Sequence, residues 1–239
     1  MARTKPTGPP KGAAKRIPAL MAGLAELYPE TGTALAFAGP FQLLVATILS
    51  AQCTDKRVNL VTPGLFAKFP DAPAFAAAKL RDIEQLVKST GFFRNKAKNI
   101  REAARAIVRD HGGEVPGTLD ALVALPGVGR KTANVVLGDG FGVPGVTVDT
   151  HVGRLSRRLG LTVQTDPVKV ERDVMELVPQ PEWTRFSHRL ILHGRQVCAA
   201  RSPKCRACPL AAVCPKVGVD PKFYAAGPDE NEVRLRPAT

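Results

Sequence analysis

The residues best suited to chemistry sit in Leu125-Pro126-Gly127-Val128-Gly129-Arg130-Lys131-Thr132-Ala133, where a Pro-Gly-x-Gly turn separates two short apolar segments. Glycines at 127 and 129 let a backbone approach a phosphate with no side chain in the way. A helix starting at Arg130 would add free N–H groups and its positive dipole end at the same place. Such a turn can grip a phosphodiester without reading bases. An ordinary tight helix–helix turn has a similar glycine pattern, but Leu125, Pro126 and the basic pair Arg130 and Lys131 favour the phosphate grip. Both basic residues can meet phosphate. Only lysine can also shed its proton and attack carbon, because a guanidinium stays charged.

An amine attacking a sugar C1′ would displace the attached base and leave a Schiff base. That imine acidifies the C2′ proton and permits β-elimination of the 3′ phosphate. The reaction needs a carboxylate, and Asp149 in Val148-Asp149-Thr150-His151 is the candidate. Asp is also a favoured helix N-cap, and the two roles are compatible. A capped carboxylate stays ionised and can stabilise an oxocarbenium-like sugar or help deprotonate Lys131. His151 receives no role.

Four of the five cysteines form a second group, Cys198, Cys205, Cys208 and Cys214, spaced Cys-x6-Cys-x2-Cys-x5-Cys. In a chain without an export signal this reads as a metal site rather than disulfides. Ligand chemistry alone leaves zinc and iron–sulfur open. Cys53, far away in sequence, reads as a small buried residue.

Charge points to the ligand class. Lys+Arg is 34 against Asp+Glu 21, a formal net charge of +13. Arg3, Lys5, Lys11, Lys15 and Arg16 carry five of those charges with no acid among them, which leaves a basic body. A basic body suits nucleic acid. No basic amphipathic helix suggests a membrane surface, and no apolar run is long enough to span one. Met1 to Arg16 lacks the apolar middle of a secretory signal, so a cytosolic or nucleoid protein is expected.

The elements that must position these residues read as helices. Apolar stripes at helical spacing run through 17–27, 41–51, 58–65, 80–87, 97–108, 119–125, 130–137, 150–159, 170–177 and 183–191. Val146-Thr147-Val148 is a brief extended piece, and nothing alternates long enough for a sheet. The expected class is all-α. Residues 1–16 read as a basic disordered tail and 216–239 as a mostly unstructured C-terminal tail.

The hairpin, the Val-Asp-Thr-His segment and the four-cysteine end together resemble the endonuclease III family of helix-hairpin-helix DNA glycosylases. The resemblance spans about Ile17 to Pro215. It implies a six-helix domain at 33–143, and a second domain from 17–32 and 144–215 holding a [4Fe–4S] cluster, with the active site in the cleft between them. It implies that Lys131 is the Schiff-base nucleophile, Asp149 the catalytic carboxylate and the four cysteines the cluster ligands. The implied substrate is duplex DNA carrying oxidised or ring-fragmented pyrimidines or abasic sites, bound by a monomer. A base must be flipped out for C1′ to be reached. Leu49-Ser50-Ala51-Gln52-Cys53-Thr54-Asp55 resembles the family segment that inserts a glutamine, here Gln52. Phe92 matches a second wedge, commonly aliphatic in relatives; it equally suits a core position. Arg201 and Lys204 resemble the DNA-contacting loop at the cluster. Lys96 and Lys98 suit either phosphate contacts or a solvated helix face.

Two competitors share these features. An adenine-type glycosylase uses a glutamate before the inserting segment and usually lacks the hairpin lysine; here Phe41 to Thr54 has no acid, Lys131 is present, and no room remains for that branch's extra C-terminal domain. A catalytically inactive helix-hairpin-helix protein would share the charge and hairpin and only bind DNA.

Overall fold

The computed structural model describes residues 8–225, and among them it is helical without a strand. The chain divides into two compact units: 32–145, and 1–31 together with 146–239.

The unit 32–145 carries α2 (Pro40–Leu49), α3 (Asp55–Lys68), α4 (Ala72–Ala77), α5 (Leu80–Val87), α6 (Phe93–His111), α7 (Leu119–Val123) and α8 (Arg130–Val135). Six of these match the apolar stripes. The seventh, α4, is too short to show a period, although Asp71 caps it by accepting from the Ala74 N–H at 2.8 Å. Its Phe75 is fully buried. The core gathers Leu43, Leu44, Val58, Leu65, Ile83, Ile100, Ile107 and Leu122. Because α2 is apolar nearly all round, it is buried on several faces rather than on one stripe. After α8 the chain widens into a π turn over Val136–Gly140.

The other unit begins with α1 (Ala13–Leu27) and resumes with α9 (Thr150–Arg158), α10 (Pro167–Leu177) and α11 (Trp183–Gln196). Leu20, Leu24, Val152, Leu155, Val170, Val174, Phe186 and Leu190 form its core. In α1, Arg16 donates to the carbonyls of Leu159 (3.3 Å) and Gly160 (2.6 Å). A guanidinium there satisfies orphan carbonyls at the negative end of α9.

Both expected tails need correction. Helix α1 starts at Ala13, which is buried, so Lys15 and Arg16 belong to the fold. At the other end, Lys216 to Ala225 pack rather than trail. The Lys216 ammonium donates to the Ala211 (2.7 Å) and Cys214 (3.0 Å) carbonyls, Val219 is buried, and Pro221–Phe223 forms a 3-10 turn. Arg3 and Lys5, and the segment 226–239, lie outside the described residues. No helix among the described residues is long and apolar enough to cross a membrane.

Candidate functional site

The hairpin occupies the turn between α7 and α8. Leu125 and Val128 are buried and anchor it, and the Val128 N–H donates to the Leu125 carbonyl at 3.1 Å. Gly127 takes a φ of +75°, where an L side chain is strained. A Cβ there would also lie 2.6 Å from the Asn99 Cβ on α6. Gly127 is therefore demanded by the fold. Gly129, the N-cap of α8, has an ordinary φ of −90°, and a Cβ on it would meet nothing within 4 Å. Its bare surface leaves room for something outside the protein. Arg130 and Lys131 follow in the first turn, both exposed.

Asp149 belongs to the other unit. It is the N-cap of α9, half-buried, and accepts from the Val152 N–H at 2.8 Å. That bond fixes the carboxylate at the positive end of the helix.

Gln52 and Phe92 share an unusual backbone. Both lie in the left-handed region, with φ of 53° and 47°. Both side chains face solvent, and Phe92 is 66% exposed, which removes the core alternative. Lys98 is exposed, but Lys96 is buried, so it is neither a phosphate contact nor a solvated face. Cys53 is half-buried against the core of its unit.

All four C-terminal cysteines line one small cavity of about 20 Å³ that opens to solvent, with Arg158, His193 and Lys216 also on its wall. Burial pushes the Cys208 thiol up to about 11 and raises those of Cys205 and Cys214. Deprotonating these thiols calls for a positive centre among them. Among the described residues, no three His, Cys, Asp or Glu close on a point as ligands of one ion would. The wall offers four cysteine sulfurs and the His193 imidazole as donors, and no carboxylate. Arg158 donates to the Cys198 sulfur at 3.3 Å and to the Ala199 (2.7 Å) and Ala200 (2.8 Å) carbonyls. It thereby holds the start of the loop that exposes Arg201 and Lys204. Arg154, one turn earlier on α9, donates to the Cys198 carbonyl at 2.9 Å.

His193 bridges the cavity to the core. Burial pushes it down to about 4 and pushes the Tyr28 phenol up to about 12, so the ring is neutral and the phenol protonated. The phenol oxygen and Nδ1 share a hydrogen bond at 3.1 Å, and Nε2 stands 3.5 Å from the Cys208 sulfur, with the ring's tautomer setting which atom donates in each. Sequence reading passed over Arg158, Arg154 and His193. The one available signal was the i, i+4 spacing of Arg154 and Arg158 on the helix that Asp149 caps. It does not reveal a target forty residues on.

A family model described as HhH-GPD superfamily base excision DNA repair protein matches residues 45–180. The chain is 61% identical over 193 residues to an endonuclease III of Synechocystis sp., spanning 80% of this chain and 88% of that one. It is 47% identical over 201 residues to an endonuclease III of Bacillus subtilis, spanning 84% and 92%. Among solved structures it resembles a trapped endonuclease III–DNA covalent intermediate, with a TM-score of 0.80 and 43% identity over 85% of this chain and 96% of that one. A thermostable thymine-DNA glycosylase shares the fold, with a TM-score of 0.77 at 23% identity over 84% and 96%.

Proposed function

Because this chain belongs to the endonuclease III family of HhH-GPD base excision DNA repair proteins, we propose that it removes damaged pyrimidines from duplex DNA and cuts the resulting abasic site. The observation that carries this reading is Lys131 itself: an exposed amine in the first turn after a phosphate-gripping hairpin, in a chain so close to named endonucleases III.

Gly129 and the first turn of α8 hold the DNA backbone. The Lys131 nitrogen pair forms a bond to C1′, and the glycosidic pair leaves with the base, which takes up a proton. Opening of the sugar ring gives a protonated imine. Loss of the C2′ proton then drives out the 3′ phosphate. Asp149 supplies the negative charge that the cationic sugar needs. The binding-only alternative would use Lys131 only as a phosphate contact, a role an arginine fills equally, whereas the lyase reading requires a lysine.

Cys198, Cys205, Cys208 and Cys214 would hold a [4Fe–4S] cluster, which their all-sulfur set fits. Such a cluster, when bound, supplies iron–thiolate links that fasten the loop carrying Arg201 and Lys204. A thiolate-held cluster is net negative, and Arg158 and Lys216 on the cavity wall would offset that charge.

The test is a panel of duplexes, each carrying one oxidised pyrimidine or one abasic site. Release of the free base followed by a β-elimination nick is expected. Tight binding with neither product would establish the binding-only alternative.

A further inference from the structure

Lys96 is buried at 5% exposure, and among the described residues its ammonium pairs with backbone carbonyls rather than a carboxylate. Its ammonium donates to the Leu49 carbonyl at 2.8 Å and to the Thr90 carbonyl at 2.7 Å. Leu49 ends α2, and Thr90 ends the 3-10 turn Lys88–Thr90. One cation thus satisfies carbonyls at two helix C-termini, where the dipole is negative. Burial lowers the lysine's pKa, which marks the cost of keeping the charge inside.

The two segments tied together have something else in common. Three residues beyond Leu49 stands Gln52, and two beyond Thr90 stands Phe92. They are two of the three non-glycine residues with positive φ among the described residues. Strained backbone with an outward side chain survives where the surroundings hold it, and it gathers at functional sites. One turn along α6, Asn99 supports the hairpin glycine. A single helix therefore braces both exposed prongs and the phosphate grip.

We infer that Lys96 is a positioning residue that locks the Gln52 and Phe92 loops into one two-pronged wedge, which enters the base stack as the damaged nucleotide leaves it. This rests on the reading of the chain as a base-extruding repair enzyme. Unstacking is costly, so two prongs held as a unit can deliver more of it than two loose ones.

The experiment follows extrusion by the fluorescence of 2-aminopurine next to the lesion, a signal that does not require base release. Lys96→Met keeps the side chain's length but leaves both carbonyls without their donor. It should slow extrusion from a paired duplex about ten-fold more than it slows β-elimination at an abasic site in single-stranded DNA, a difference of about 1.4 kcal/mol. Equal slowing of both, or unchanged extrusion, overturns the inference. If Lys96→Met does not fold, Gln52→Ala, Phe92→Ala and their double variant decide it with Lys96 in place. Coupled prongs give strongly non-additive extrusion rates, and additive rates overturn the inference. A wild-type protein that extrudes the nucleotide but releases no base would instead count against the enzymatic reading alone.

Discussion

Asn99 lies so close under Gly127 that any Cβ at that glycine would overlap its side chain at 2.6 Å. The two glycines of the hairpin therefore do different work, and substitution separates them. Gly127→Ala meets both the Asn99 contact and a φ of +75°, and should cost roughly 2–4 kcal/mol of stability. Gly129→Ala has an allowed backbone and open space, and should cost no more than about 1 kcal/mol through the weaker N-cap. It should nevertheless weaken duplex binding by about ten-fold, the scale of a lost phosphate contact. Thermal melts and a binding titration at fixed salt check both. Wild-type affinity in Gly129→Ala would remove the backbone grip from the account.

Asp149 offers a similar separation. Asn is as good an N-cap as Asp, so Asp149→Asn should keep the bond from the Val152 N–H and stay within about 0.5 kcal/mol of wild type. With no charge and no basic oxygen, it should lose about 100-fold or more in single-turnover base release. Asp149→Ala should lose the cap as well, at about 1 kcal/mol. An Asp149→Asn enzyme with wild-type rates would confine the residue to capping.

The four-thiol cavity predicts the metal content. Protein purified without air should be yellow-brown and contain about four iron and four acid-labile sulfide per chain. Cys208→Ala should lose both, while Cys53→Ala, altered in the other unit, should keep both. One zinc per chain and no sulfide would replace the cluster with a mononuclear site.

Much of the fold was legible because apolar residues at helical spacing leave few alternatives. Ile83 and Val87, or Ile100, Ala104 and Ile107, mark faces that must be buried, and they are. Helix α4 escaped because six residues make less than two turns, too few to display a period. The terminal segments were misread because polar, proline-containing sequence says nothing about a partner far along the chain. Arg16 finds the end of α9, and Lys216 finds the carbonyls of Ala211 and Cys214. Lys96 was misread as basic surface because Arg94 and Lys98 surround it. Its position was nonetheless readable: it precedes Ile100 by four residues, Ala103 by seven and Ile107 by eleven, on the buried stripe of α6. Chemically distinctive residues such as Lys131, Asp149 and the cysteines stood out by type and spacing. The groups that hold them, such as Asn99, Arg158 and His193, did not, since their partners come from distant elements.

The amine of Lys131 is the centre of the account, and covalent capture interrogates it directly. Incubation with an abasic-site duplex and borohydride should reduce the imine to a stable protein–DNA adduct, with mass spectrometry finding the deoxyribose on Lys131. Lys131→Ala should bind the same duplex yet form no adduct. An adduct that persists in Lys131→Ala, or a wild-type protein that never forms one, would contradict the proposed chemistry.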